Sequence, residues 1–315
     1  MRVFLTGASG FVGANMARRL LKEGHEVHLL LREGSNTWRL EDVLGEMNVH
    51  RGDICDLGQL TSAVKEAAPQ IVIHMGTHGA YPTVQTDFDK IFSTNMIGMA
   101  NLLKACDAVR YECFINTSSS SEYGLVDKPM SEKDLPMPVN YYGATKAGAT
   151  VLCQTHTRIT DAPIVNVRLF SVYGPYEEKI RLVADTVKKC LLGEPLIFTK
   201  ATQKRDFIYT TDVENAYLEL MKSPQLKGEV LNIGTGTQYS VRHIVERIIE
   251  RTGTTQKPQW GVIPTWRFEA QNWVADMGKA HSLLKWRAEV SLENGVGKTV
   301  DWMKKNMGYY GGGKA

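Results

Sequence analysis

Tyr142 and Lys146 stand four residues apart in the string Tyr142-Gly143-Ala144-Thr145-Lys146. On a helix that spacing puts a phenol and an ammonium on one face, where they can share a proton. The ammonium favours the phenolate, so Lys146 is expected to lower the Tyr142 pKa toward working pH. Tyr141 has no lysine at that spacing. A second string, Gly7-Ala8-Ser9-Gly10-Phe11-Val12-Gly13, suits phosphate. Its glycines, spaced GxxGxxG rather than GxGxxG, let backbone N–H groups approach a pyrophosphate at a helix N-terminus. Ser9, Phe11 and Val12 belong to the same loop. A dinucleotide loop and a phenol acid/base together point to hydride transfer at a carbinol or ketone.

These groups need a scaffold. Short apolar, β-branched runs predict strands at Val3 to Thr6, Val27 to Arg32, Val49 to Arg51, Ile71 to Met75, Cys113 to Thr117 and Ile164 to Leu169. Amphipathic stretches between them predict helices at Val12 to Glu23, Leu57 to Ala67, Thr94 to Val109 and Tyr142 to Thr157. The alternation predicts an α/β fold, a doubly wound parallel sheet of Rossmann type. After Val172 the segments shorten and turn signals multiply, with helices again at Thr211 to Lys222, Val241 to Arg251 and Leu292 to Lys305. The expected division is residues 1–172 as the dinucleotide-binding and catalytic domain, 173–308 as a smaller α/β substrate lobe with some elements exchanged, and 309–315 as a disordered tail.

On that scaffold, the end of the second strand carries Leu31 where an NAD enzyme usually has an acid. Arg32 follows, then Asn36 and Arg39, cations and an amide that suit the 2′-phosphate of NADP. Asp53 and Ile54 are placed to bracket an adenine. Met75, Gly76 and Thr77 end the fourth strand beside the pyrophosphate path. Thr117 and the serines after it end the fifth, where open α/β sheets bind ligands.

Composition narrows the class. A formal charge of +3 with no Lys/Arg run gives no footprint for nucleic acid. No apolar run is long enough to span a bilayer and no charged-then-apolar leader opens the chain, so a cytoplasmic protein is expected. Five scattered cysteines without a CxxC read as reduced, mostly buried thiols. His74 and His78 have no third ligand at metal-binding spacing, so no metal site is expected.

The strings TGASGFVG, RGDI, STNMIG, SSSSEYG, YGATK, RLFSVYGP and RDFIYTTDV, spread over nearly the whole chain, resemble the extended short-chain dehydrogenase/reductases. The resemblance is to the branch that modifies nucleotide sugars: UDP-glucose 4-epimerase, the 4,6-dehydratases and the 4-keto-6-deoxysugar reductases. It implies Ser119 as the catalytic Ser/Thr, with Ser120 and Ser121 beside the substrate, and Lys146 on the nicotinamide ribose. Asn95 matches the asparagine of the helix after the fourth strand. Leu169 and Val172 fall in the post-strand motif beside the cofactor, and Ser171 stands where many epimerases have Asn. Arg205 would grip the nucleotide diphosphate, with Arg267 as a second arginine and Arg181 and Lys179 as further cations. Homodimers built on the two long helices are common in the family. The string VHLLLREGSNTWR is most similar to the NADP-using GDP-mannose dehydratases.

The 4,6-dehydratases carry acids just after the Ser/Thr. Here those places hold Ser120 and Ser121, and Glu122 comes one residue late. The expected function is therefore NADPH-dependent reduction of the C4 ketone of a nucleotide-linked 4-keto-6-deoxy sugar. In it Tyr142 is the acid, Ser119 orients the carbonyl and Lys146 tunes the phenol. The alternative is a 4-epimerase using tightly bound NAD(P), followed by a dehydratase or a non-catalytic nucleotide sensor. Asp206 and Asp212 are read as local braces, and Trp260, Trp266, Trp273 and Trp286 as packing residues.

Overall fold

In the computed structural model, which describes residues 1–81, 84–266 and 268–310, the strands are short and mostly buried. They are β1 (Arg2–Thr6), β2 (Glu26–Leu31), β3 (Asn48–Arg51), β4 (Ile71–His74), β5 (Cys113–Ser119), β6 (Ile164–Leu169), β7 (Ser171–Tyr173), β8 (Lys204–Arg205), β9 (Phe207–Tyr209), β10 (Val230–Ile233) and β11 (Tyr239–Ser240). The helices are α1 (Phe11–Lys22), α2 (Leu57–Ala67), α3 (Phe88–Phe92), α4 (Gly98–Cys106), α5 (Tyr141–Thr160), α6 (Leu182–Leu192), α7 (Thr210–Leu220), α8 (Val241–Thr252), α9 (Gly278–Leu283) and α10 (Leu292–Lys305).

Seven strands form one parallel sheet in the order β10-β6-β5-β4-β1-β2-β3. Alternation along each strand feeds two cores. Val3, Leu5, Ile71, Ile73 and Ile115 pack with Ala14, Leu20, Val213 and Leu220 of α1 and α7. Phe4, Val72 and Phe114 point the other way, onto Leu60, Leu102 and Ala149 of α2, α4 and α5. Covering both faces is why these strands read as continuous apolar runs. The chain builds outward from β1 to β3, then returns to β4 on the other side of β1. That reversal opens a crevice at the carboxyl ends of β1 and β4. A third core joins α6, α8 and α10 through Val187, Ile244, Ile248 and Val300.

Three expectations need correcting. The helix expected over Thr94 to Val109 is α3, then a π-helical turn over Ser93–Ile97, then α4. The wider turn admits an extra residue into the ladder, which periodicity alone does not register. The sheet also has a seventh strand, β10, from beyond residue 172, which the strand expectations omitted. The tail begins later than expected: Tyr310 is buried, and its hydroxyl donates to the Glu177 carbonyl at 2.9 Å. Residues 311–315 lie outside the described residues. Four cysteines are buried and Cys55 is exposed. Among the described residues no helix is long and apolar enough to cross a membrane.

Candidate active site

A cleft of about 580 Å³ runs along the carboxyl ends of the sheet. Its floor is the turn from β1 into α1. Gly7 has φ +77°, the left-handed region that glycine enters freely. A Cβ at Gly13 would collide with the Gly7 carbonyl, so only glycine lets loop and helix approach this closely. Gly10 caps α1 without a side-chain hydrogen bond, and the first turn holds no acid. The amino-terminal N–H groups and the positive end of the helix dipole are therefore unclaimed by the protein, which suits a pyrophosphate. Ser9, Gly10, Phe11, Val12 and Gly13 all line the cleft, as do Met75, Gly76 and Thr77 from the end of β4.

Toward the sheet edge the cleft is lined by Leu31, Arg32, Asp53 and Ile54. Arg32 is exposed and makes no side-chain hydrogen bond or ion pair with the described residues. Arg39 differs from expectation. It is buried, donates to the carbonyls of Tyr176 (2.8 Å) and Ser9 (3.2 Å), and pairs with Glu178 at 2.7 Å. Its guanidinium braces the loop from behind and does not line the cleft. Asn36 is also outside it, accepting the Trp38 N–H at 3.2 Å. Asn95 sits behind the wall: its side-chain oxygen accepts from Thr77 and His78, and its amide donates to Thr145 Oγ1 at 2.9 Å. It ties the β4 loop to α5 instead of facing the cleft. The π turn that carries it is the feature the sequence pattern concealed.

The cleft's other end gathers Ser119, Tyr142 and Lys146. Ser119 is the last residue of β5, and α5 starts at Tyr141 under an Asn140 cap that accepts the Gly143 N–H at 2.7 Å. Burial pushes the Tyr142 phenol up to about 12, against a hydrogen bond with Ser119 that favours the phenolate. Burial also brings Lys146 down to about 8, against the attraction of Glu122. The expected depression of the phenol by Lys146 does not show in this cleft: burial dominates, and the Ser119 hydrogen bond and the Arg181 charge are what favour the phenolate. Ser120 accepts from Trp273 Nε1 at 2.8 Å, and Ser120, Ser121, Thr117, Leu169, Ser171 and Val172 complete this end.

Glu122 faces away. It is fully buried and pairs with Arg168 at 2.8 Å. His74 is buried too, bonded to Thr6 Oγ1 at 2.7 Å and pushed down to about 3 by burial, so it is neutral. Among the described residues no cluster of His, Cys, Asp and Glu could hold a metal.

The far wall comes from the second half of the chain. Arg205 lines the cleft, donates to the Ala270 carbonyl at 2.9 Å and pairs with Glu269. Arg181 lines it as well, paired with Glu177 at 2.9 Å and donating to the Val172 carbonyl at 3.0 Å. Lys179 is outside the cleft, and Arg267 lies outside the described residues. Asp206 braces the turn after β10 through the N–H groups of Thr235 and Gly236, and Asp212 accepts the Val290 N–H. Trp260 stacks on Phe198 and Trp286 is buried, as expected of packing residues. Trp266 and Trp273 instead line the cleft with Glu269. The density of tryptophan between 260 and 273 was the available signal, and it points equally to packing.

The family model described as "NAD dependent epimerase/dehydratase family" matches residues 3–234. The chain belongs to that family. Among its relatives, human dTDP-D-glucose 4,6-dehydratase is 29% identical, aligned over 97% of this chain and 90% of the relative. The structure of a UDP-glucose 4-epimerase with UDP-glucose from Thermotoga maritima superposes with a TM-score of 0.91 at 26% identity, covering 98% of this chain and 100% of that one. A UDP-glucuronic acid 4-epimerase from Bacillus cereus, in complex with UDP-glucuronic acid and NAD, gives 0.87 at 28% identity, covering 97% and 100%. The epimerase/dehydratase family thus accounts for the whole described fold.

Proposed function

We propose that this chain is a nucleotide-sugar 4-epimerase acting on a UDP-sugar. The observation that carries the reading is the surroundings of Ser119. Ser119, Tyr142 and Lys146 share one end of the cleft, while Glu122, the acid that ends the serine run, is turned into the core. A dehydratase needs a free acid beside the catalytic serine, whereas the glutamates that do line the cleft, Glu178 and Glu269, are paired with Arg39 and Arg205. A C4 ketoreductase would use the same three groups. The epimerases that superpose along the full chain favour inversion with no net redox change.

Tyr142 takes the proton of the C4 hydroxyl and later returns it. Ser119, hydrogen-bonded to Tyr142, holds the C4 oxygen in line with the phenol. Lys146 supplies a positive charge that favours the phenolate once its own proton is held. A bound nicotinamide supplies a reversible hydride acceptor, and in its oxidised form a positive charge that also favours the phenolate. The residues that would hold the dinucleotide are the Gly7 to Gly13 loop, Met75 to Thr77, Asp53, Ile54 and Lys146. At the adenosine end Leu31 replaces the usual acid and the Arg32 guanidinium is unpaired among the described residues, which suits the 2′-phosphate of NADP. Residues 173–308, less the β10 they lend to the sheet, serve as the substrate lobe. Arg205 grips the diphosphate after exchanging Glu269 for phosphate oxygens.

The test is product analysis with UDP-glucose and UDP-glucuronic acid, followed by 4-keto-6-deoxy derivatives with NADPH. A product of unchanged mass and inverted C4, with no net change in nicotinamide absorbance, is expected. Stoichiometric NADPH loss with a gain of two hydrogens would make the chain a reductase.

A further inference from the structure

The buried pair behind the catalytic serine has no part in the chemistry described so far. Glu122 accepts from Thr150 Oγ1 at 2.8 Å, from Ser118 Oγ, and from Arg168 Nε and Nη2 at 2.8 Å each. Arg168 lies 4.5 Å over the Tyr123 ring, and the Tyr123 hydroxyl donates to Asn232 Oδ1 at 2.7 Å. Two of these contacts reach the catalytic machinery. Thr150 is the residue one turn beyond Lys146 on α5. Ser118 immediately precedes Ser119, and its hydroxyl reaches the Lys146 carbonyl at 3.4 Å.

Lys146 is itself buried, 3% exposed, and makes no ion pair with any described residue. An ammonium so placed pays a desolvation cost that only a nearby anion can offset. The groups around it are few. His74 on β4 is neutral, Cys153 on α5 is held protonated by burial, and Tyr142 is a phenol. Arg168 on β6 carries the same sign as Lys146. Glu122 is the one carboxylate among them.

We propose that Glu122 is a positioning residue of the catalytic centre, the buried counter-charge that keeps the Lys146 ammonium ionised while Thr150 and Arg168 lock it to α5 and β6. The direction of the Glu122 influence on Lys146 agrees: it raises the lysine pKa against burial. A purely structural pair would hold α5 in place but leave the lysine's titration alone. The catalytic consequence rests on the epimerase reading, whereas the electrostatic one does not.

The experiment is an NMR titration of the Lys146 ε-carbon in cofactor-free protein carrying ¹³C-lysine, assigned by loss of the signal in Lys146→Arg. In Glu122→Gln, which keeps the shape, the lysine should titrate on the order of one pH unit lower than in the parent. The alkaline limb of the pH–rate profile should move with it. Thr150→Val, which removes a hydrogen bond but no charge, should lower the melting temperature and leave the titration in place. If Glu122→Gln does not fold, the double variant Glu122→Gln/Arg168→Gln removes the ion pair together and should lower the Lys146 titration by less, because the repulsion of Arg168 is lost with the carboxylate; no downward shift there overturns the inference as well. An unchanged Lys146 titration in the folded variant overturns the inference. A shifted titration in a protein that inverts no sugar would uphold it and sink the epimerase reading.

Discussion

Lys146 shows how a functional group strains the fold that holds it. Its pKa falls from 10.5 to about 8 on burial, a penalty of about 3 kcal/mol in the charged state. Above pH 10.5 the lysine is neutral folded and unfolded, so the penalty vanishes; below about pH 8 it is present in full. Lys146→Met should therefore raise the melting temperature by several degrees at pH 7, by little at pH 10, and abolish turnover. Calorimetry at the two pH values checks this. Arg32 and Arg39 make the complementary point. In sequence they are two similar arginines after one strand, yet one is exposed in the cleft and the other is consumed by Glu178 and two carbonyls. The ion-pair partner of Arg39 lies far along the chain, so spacing could not separate the two. Arg32→Asp should shift the ratio of NADP to NAD affinity at least tenfold toward NAD, measured by fluorescence titration. An unchanged ratio would remove Arg32 from the cofactor site.

At the scale of elements, the catalytic geometry depends on how closely α5 approaches the serine run. A Cβ at Gly143 would stand 2.5 Å from the Ser121 carbonyl oxygen, closer than real Cβ atoms come to anything. Gly143→Ala should push the helix start outward, cost on the order of 1–3 kcal/mol, and lower kcat at least tenfold with cofactor affinity little changed. Denaturant melts and cofactor titrations test the two halves separately. Strands β1 to β6 and helices α1, α2, α5, α7, α8 and α10 were legible from periodicity because their buried faces follow simple periods. The π turn over Ser93–Ile97 was not, since a single wide turn leaves the composition of a helix intact.

For the whole molecule, the legible part was the sheet from β1 to β6, and the hidden parts were its edge strand β10 and the wall that closes the cleft. Trp266, Glu269 and Trp273 reach it from far along the chain, and nothing local in their sequence says which side of Trp273 faces Ser120. An exposed apolar stripe also stands on the outer face: Phe88, Phe92, Ile97, Tyr141 and Val151, with Phe88 and Tyr141 edge to face at 4.7 Å. We propose that a second copy of the chain covers it, the homodimer implied by the family resemblance. Phe92→Glu together with Val151→Lys should halve the mass seen by sedimentation. A parent chain that sediments at the mass of one copy would dismiss the dimer.

The late arrival of β10 bears on how the protein is made. On a ribosome, β6 leaves the exit tunnel long before Val230–Ile233, the strand that must lie beside it. Until then β6 is an open edge, with Arg168 and Asn166 waiting on partners not yet synthesised. Tyr123, ready much earlier, must likewise wait for Asn232. A nascent chain stalled after β6 has emerged but before β10 has followed would therefore present an unpaired strand edge to chaperones and neighbours.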